Sequence, residues 1–206
     1  MYQKYFKRLF DIIFSLILIL ILFPLMFLIF FLIWIFIGFP IFIQVRITLN
    51  NKLFNVYKFK TLYDHDPSKN ILEEKRQNKL GNFLRKTGLD ELPQLYNVIK
   101  NDMSLVGPRP LLSEYLKKYT NYEKRRHHVK AGITGLAQIN PEPSGIKSWD
   151  KSIKLDIFYV DNVSFFFDVE ILFKTALLVL LKKKQSNKFK KINEKKISNY
   201  WSWRTW

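Results

Sequence analysis

From Ile12 to Val45 the chain runs for 34 residues without a charge, and 27 of them are Ile, Leu, Phe or Val. This run restricts the fold more than any other feature. At about −0.3 to −0.6 kcal/mol per apolar residue, those 27 supply about 8–16 kcal/mol of favourable bilayer insertion. The run is longer than the 7–15 apolar residues of a secretory signal, and no small-residue cleavage site follows it. A straight helix of this length would extend about 50 Å, against a hydrocarbon core of about 30 Å. Pro24 lies inside it, where the missing N–H and the ring clash should kink or break the helix for about 3 kcal/mol. Lys4, Lys7 and Arg8 precede the run, and Arg46, Lys52, Lys58 and Lys60 follow it. A spanning helix should be charge-asymmetric at its two ends. A re-entrant helix-break-helix hairpin that returns to the cytoplasmic face is therefore expected in preference to a tilted single span.

The remaining residues carry the polar chemistry. Thirty-four basic against seventeen acidic residues leave a formal charge of +17, which calls for an anionic partner. The absence of cysteine excludes disulfides, thiolate metal sites and a Cys nucleophile. Phe42 to Phe59 alternates around Asn50-Asn51, predicting a short β-hairpin that delivers Lys58 and Lys60. Asp64 to Gln77 is polar without a clean period and predicts a loop running into a helix. Thr87 to Lys100 carries a start signature, with Thr87-x-x-Asp90 as a capping pattern and Pro93 tolerable in a first turn. Glu114 to Val129 has helical apolar spacing among cations. In 165–181 an apolar helix is interrupted by Asp168, Glu170 and Lys174, which predicts a helix lying in the membrane interface. Lys182 to Lys196 then holds eight Lys against one Glu, and Tyr200, Trp201, Trp203 and Trp206 follow. A basic run with aromatics beside a membrane segment predicts contact with acidic lipids rather than nucleic acid.

Three clusters could hold chemistry. Asp90 and Glu91 near a helix start would be held ionised there, and phosphate is attracted to the same N–H groups. An anionic nucleophile beside an anionic ligand needs compensating charge, which Mg2+ on one or two carboxylates and forked arginines would provide. The second cluster is Arg109 within Gly107-Pro108-Arg109-Pro110, and the third is Arg125-Arg126-His127-His128. Neighbouring histidines on a helix point apart and do not readily share a metal. No Gly-x-Gly-x-x-Gly or Walker pattern occurs. Taken singly, each cluster also fits a plain structural role, and a non-catalytic, membrane-anchored cationic module for acidic lipid, nucleic acid or glycan is the alternative function.

The order of motifs adds to this. Lys7-Arg8-Leu9-Phe10-Asp11 precedes the apolar run. Tyr57-Lys58-Phe59-Lys60-Thr61 follows it, then Leu89-Asp90-Glu91-Leu92-Pro93-Gln94-Leu95-Tyr96-Asn97. Next come Asp102-Met103-Ser104-Leu105-Val106-Gly107-Pro108-Arg109-Pro110, Arg126-His127, Gly132-Ile133-Thr134-Gly135-Leu136-Ala137-Gln138-Ile139-Asn140, and Leu155-Asp156-Ile157-Phe158-Tyr159-Val160. From about Lys4 to Leu180 the chain resembles the bacterial sugar transferase family, the small monotopic phosphoglycosyl transferases, and most resembles its PglC-type branch.

That resemblance implies transfer of a sugar 1-phosphate, of HexNAc type, from a UDP-sugar to polyprenol (undecaprenyl) phosphate with release of UMP. It implies Asp90 as a covalent nucleophile, Glu91 assisting with Mg2+ held by Asp90 and Glu91, and Arg85, Arg109, Lys60 and Arg126 at the substrate phosphates. It places the protein at the cytoplasmic face of a bacterial inner membrane. The implied fold is α+β and mainly α. A re-entrant segment broken at Pro24 (1–45) would precede a catalytic domain (46–181) of short β-hairpin and interfacial amphipathic helices, with a basic, aromatic tail (182–206). The chain departs from the family pattern at four places. Phe23 stands where Ser often precedes the proline. Gln44-Val45-Arg46-Ile47-Thr48 replaces Gln-x-Arg-Pro-Gly. Ala131 replaces a proline, and Pro141-Glu142 stands where a Gly-Arg pair is expected.

Overall fold

Polarity in the N-terminal third is inverted. In a computed structural model, which describes residues 2–64, 72–140, 149–179 and 181, a π-helical turn at Tyr2–Phe6 leads into helix α1, Lys7–Phe36. Of its thirty residues only Lys7, Asp11, Ser15, Ile29 and Ile33 are buried. Lys7, Asp11 and Ser15 recur every four residues, so they share one face, and that face packs on the rest of the chain. The Leu, Ile and Phe side chains point outward, with Leu20 78 % exposed. An exposed apolar helix with an inward polar stripe fits lipid surroundings rather than water. Among the described residues α1 is the one helix long and apolar enough to cross a membrane.

Both ends of α1 return to the same globular unit. Phe10, Leu18 and Ile19 pack on the main core. Ile29, Ile33 and Ile37 form a second cluster with Phe59 and Leu84. Between them Leu20, Ile21 and Phe23 stand clear of it. The helix continues through Pro24 and does not stop there. This differs from the expected interruption: proline removes one hydrogen bond, to the carbonyl of Leu20, while the ladder on either side stays intact.

After the bend at Gly38, β1 (Ile41–Ile47) pairs antiparallel with β2 (Leu53–Phe59), Ile41 opposite Phe59 and Ile47 opposite Leu53. The connection holds Asn50 and Asn51 at φ 53° and 60°. These are left-handed values that asparagine tolerates, so the hairpin forms where the sequence predicts it.

Helix α2 (Lys79–Thr87) starts on Asn78, whose side chain accepts from Gly81 N–H, and ends at Gly88 with φ 73°. That terminus corrects the expected Thr87 cap. Thr87 closes α2, its hydroxyl donating to the Phe83 and Leu84 carbonyls, because Gly88 adopts the left-handed conformation that stops a helix. A 3-10 turn at Leu89–Glu91 follows, and α3 spans only Gln94–Ile99. β3 (Ser104–Val106) pairs in parallel with β4 (Gly132–Thr134). Gly107, Gly132 and Gly135 meet there backbone to backbone: a Cβ on any of them would lie 2.1–2.3 Å from a neighbouring main-chain atom. Between these strands the expected helix of 114–129 is divided into a 3-10 turn at Ser113–Lys117, the four-residue α4 (Asn121–Lys124) capped by a Thr120–Glu123 box, and a 3-10 turn at Arg125–His128.

α5 (Leu136–Ile139) and α6 (Trp149–Asp161) lead to α7, residues 165–179. The main core joins Phe54 and Val56 of the hairpin, Leu95 and Val98 of α3, Leu105 and Val106 of β3, Tyr159 of α6 and Ile171 of α7. On α7, Asp168 does not belong to a polar outer face. It is fully buried and accepts from Lys7 Nζ at 2.6 Å, Tyr2 hydroxyl at 2.5 Å and Tyr159 hydroxyl at 2.7 Å. The outward side of α7 carries Phe166, Val169, Phe173 and Leu177. The Pro141-Glu142 departure and the basic, aromatic tail of 182–206 lie outside the described residues.

Candidate active site

Strand pairing collects the cations. In a hairpin where residue 42 faces residue 58 and residue 46 faces residue 54, the even-numbered positions share one face. That face presents Gln44, Arg46 and Lys58, with Lys60 just beyond the strand. It forms one wall of a cleft of about 710 Å3, whose other walls come from α2, the Leu89–Glu91 turn and the Gly107–Pro110 segment. Six cations line it, Arg46, Lys58, Lys60, Arg76, Arg85 and Arg109, against four acids, Asp64, Glu73, Asp90 and Glu91. The net of two positive charges matches the two negative charges of a diphosphate diester.

The two central carboxylates differ. Glu91 Oε1 accepts from Lys58 Nζ at 2.7 Å and from Arg109 Nη2 at 2.8 Å, with the Glu91 side chain 18 % exposed. Burial alone would raise its pKa, but the charges of Arg109 and Lys58 outweigh that and hold it below the ordinary glutamate value. Asp90 forms no hydrogen bond or ion pair with another side chain among the described residues. Burial, and next the charge of Glu91, raise its pKa above the ordinary aspartate value, against the opposing pull of Lys58 and Arg85. Glu91 is thus a fixed anion anchoring two cations, and Asp90, held only by its own backbone N–H, is a more basic carboxylate with no side-chain partner among the described residues, facing the same cleft.

The remaining cations are oriented by weaker contacts. Arg85 donates through Nε to Thr61 Oγ1 at 2.8 Å and through Nη1 to Glu73 at 2.7 Å. Lys60 donates to both oxygens of Asp64 at 2.8 Å. Glu73 and Asp64 are largely exposed, 60 % and 75 % by side chain. Pairs of that kind are worth little in water, so an incoming anion can draw Lys60 and Arg85 away from them. Arg46 is held by Gln44 Oε1 and by the Pro110 carbonyl. Arg46 and Lys58 also line the cleft, beyond the residues that the resemblance implies at the phosphates. The alternation of the hairpin was the available signal, since with Asn50-Asn51 as the turn, residues 46, 58 and 60 fall on one side.

One expected phosphate ligand lies elsewhere. Arg126 is 2 % exposed and donates to Asp156 through Nε at 3.1 Å and Nη2 at 2.6 Å, to Tyr119 hydroxyl at 3.0 Å and to the Arg109 carbonyl at 2.9 Å. Burial of Asp156 on α6 draws the guanidinium inward, because a buried carboxylate needs its counter-charge. Arg126 therefore bears on the cleft only through the backbone of Arg109. The structure thus brings Asp90, Glu91, Arg85, Arg109 and Lys60 together at the cleft, leaves Arg126 behind it, and keeps Pro24 on α1. No group of three or more His, Asp or Glu side chains suited to a metal occurs among the described residues.

Comparison with known proteins agrees with the motif order. The chain is 53% identical over 148 residues to the uncharacterized sugar transferase EpsL of Bacillus subtilis, covering 70% of this chain and 72% of that protein. It is 40% identical over 156 residues to the galactosyl transferase CpsE of Streptococcus agalactiae, covering 68% of this chain and 34% of CpsE. Against the UDP-glucose:undecaprenyl-phosphate glucose-1-phosphate transferase of Escherichia coli it is 38% identical over 146 residues, 66% of this chain and 32% of that enzyme. The chain spans about a third of the length of those last two relatives. A model of the bacterial sugar transferase family matches residues 2–182, nearly the whole described length, and the chain belongs to that family.

Proposed function

We propose that this chain transfers a sugar 1-phosphate, of HexNAc type, from a UDP-sugar to polyprenol phosphate and thereby begins a membrane-bound glycan. The observation that carries the reading is an Asp90 carboxylate without a side-chain partner among the described residues, beside a fixed Glu91 in a cleft of net positive charge. In the first step an Asp90 oxygen attacks the β-phosphorus of the donor. The bond from that phosphorus to the bridging oxygen breaks, and UMP leaves with the electron pair. In the second step a phosphate oxygen of the acceptor attacks the same phosphorus, breaking its bond to Asp90. The products are polyprenyl diphosphate sugar and a regenerated carboxylate. Arg85, Lys60 and Arg109 bind and orient the donor phosphates, and Glu91 holds Lys58 and Arg109 in place throughout. Asp90 with one neighbouring carboxylate suits a divalent ion completed by phosphate oxygens, since Mg2+ commonly uses one or two carboxylates plus substrate phosphates. Mg2+ bound there would neutralise charge on the donor diphosphate.

The membrane arrangement proposed is re-entrant: α1 dips into the cytoplasmic leaflet of the inner membrane and returns, which keeps the cleft at head-group level. Support comes from the return of both its ends to one globular unit and from the basic residues on both flanks. α7 lies in the interface with Phe166 and Phe173 toward lipid, and the basic residues contact acidic lipids. The chain has no cysteine, so single cysteines at Tyr5 and Phe39 can be labelled in sealed vesicles. Labelling of both from the same side is expected, and labelling from opposite sides overturns the re-entrant arrangement.

The test of the reaction is UMP release with undecaprenyl phosphate and Mg2+ from a panel of UDP-HexNAc donors, with UDP-glucose and UDP-galactose included. Wild type should release UMP and Asp90→Asn should not. Mass spectrometry should find a phosphosugar adduct on Asp90. Full turnover by Asp90→Asn rules out the nucleophile.

A further inference from the structure

A second cavity reaches Glu91 from the side of the membrane helix. It measures about 320 Å3 and runs between Leu18 and Leu22 of α1, Leu95 of α3, and Leu172 and Leu178 of α7. Its inner end is formed by Gly88 and Glu91, and both residues also line the cationic cleft. A Cβ placed on Gly88 would meet no atom within 4 Å, so no side chain crowds the backbone where groove and cleft adjoin.

We propose that this groove receives the first isoprene units of the polyprenyl acceptor, with the acceptor phosphate emerging past Gly88 to reach Asp90 and the rest of the chain passing between α1 and α7 into the bilayer. The proposal rests on the phosphoglycosyl transferase reading and specifies where its second substrate lies. An amphiphile with one anionic end and a long apolar chain needs two surroundings that meet, and here a groove walled mainly by Leu, Ile and Val, with Thr87, Thr134, Gln138 and Thr175 among them, adjoins the cation-lined cleft at Gly88 and Glu91. Both helices that wall the groove also present exposed apolar side chains, Leu20 on α1 and Phe173 and Leu177 on α7.

A larger apolar groove, about 670 Å3, lies on the other side of α1, bounded by Phe23, Phe27, Phe30, Ile41, Ile43 and Tyr96 among others. It is the competing location. It shares Phe59 with the cleft but none of its charged residues. A chain bound there would have its phosphate beside aromatic rings, with no cation or carboxylate lining the space.

The experiment uses the wild-type protein in nanodiscs with a polyprenyl phosphate carrying a diazirine on its first isoprene units. Irradiation followed by peptide mass spectrometry should place adducts on Leu18, Leu22 and α7, and not on Ile19, which lines the other groove. Adducts confined to Phe23–Phe30 and Ile41–Ile43, or none in the α1–α7 groove while turnover continues, overturn the proposal. Two variants give an independent readout. Leu22→Trp, which narrows the channel from α1, should raise the acceptor KM about tenfold, equivalent to about 1.4 kcal/mol, with the donor KM unmoved. Ile43→Trp, in the competing groove, should leave the acceptor KM alone. The reverse pattern overturns the assignment. Loss of the Asp90 adduct in wild type would instead refute the parent reading.

Discussion

Replacing Arg126 by Met separates a phosphate ligand from a buried structural ion. The wild-type guanidinium satisfies Asp156 twice, Tyr119 once and the Arg109 carbonyl once, with side chains 2 % and 4 % exposed across the ion pair. Removing one partner of such a pair leaves an uncompensated charge and costs about 3–5 kcal/mol. For a chain of this size each kcal/mol moves the melting temperature by about 2–4 °C, so a fall of about 6–20 °C is expected. The sign with pH follows from Asp156. Burial already raises its pKa against the pull of Arg126. Without Arg126 that pKa rises further above the unfolded value, so the folded state takes up a proton more readily. The deficit should be largest at pH 8 and shrink toward pH 5. Arg126→Met with Asp156→Leu removes both charges and should recover most of the lost stability, because an apolar pair of similar volume is often neutral or better. The assay is thermal unfolding in detergent across pH for the two single variants and the pair. An unchanged melting temperature in Arg126→Met together with a raised donor KM would refute the argument and return Arg126 to the phosphates.

Three further outcomes follow from the same geometry. Glu91→Gln removes the neighbouring charge that helps raise the Asp90 pKa and releases Lys58 and Arg109. The acid limb of single-turnover UMP release should move to lower pH as the maximal rate falls, and a shift to higher pH contradicts the assignment. Asp168→Ala leaves Lys7, Tyr2 and Tyr159 without their shared acceptor and should lower stability by about 3–5 kcal/mol, read as earlier proteolysis of the N-terminal turn. His127 is buried, and burial followed by the charges of Arg126 and His128 pushes its pKa down to about 4. A depressed histidine pKa means the unfolded chain binds the proton first, so its contribution is intact above about pH 6.5 and is lost as pH falls toward 4. His127→Leu should flatten the melting curve against pH across that window, and an unaltered slope would exclude the residue as its source.

Much of this was legible in one dimension because its causes are local. The uncharged run of 12–45 pointed to an apolar membrane helix but not to its bounds, since α1 is Lys7–Phe36 and the last residues of the run enter β1, and Asn50-Asn51 identified the hairpin because two left-handed residues in succession suit asparagine. The adjacent acids 90 and 91 are neighbours whatever the fold. What escaped depends on residues far apart in sequence. Thr87-x-x-Asp90 fits a helix start as a pattern, yet Gly88 ends the preceding helix and reassigns the threonine hydroxyl. Arg126 is expected at the substrate phosphates, yet α6 supplies Asp156, thirty residues on, as its partner. Asp168 reads in sequence as one of three charges interrupting an interfacial apolar helix, whereas its partners Lys7 and Tyr2 lie at the other end of the chain. Hydrophobic period does not report a polar residue turned inward by a distant counter-charge.

The bond from Lys7 to Asp168 closes a separation of 161 residues. At ribosomal speeds of about 5–20 residues per second, the aspartate is made about 8–32 s after the lysine. Throughout that interval the apolar helix is already available to the bilayer, with an ammonium at its base that has only Asp11, one turn along the same face, as a neighbouring carboxylate and not yet its hydrogen-bonded partner. The final docking of α7 is therefore the event that locks the N-terminal anchor, and nascent chains halted before residue 168 should leave that anchor loosely seated and open to proteases.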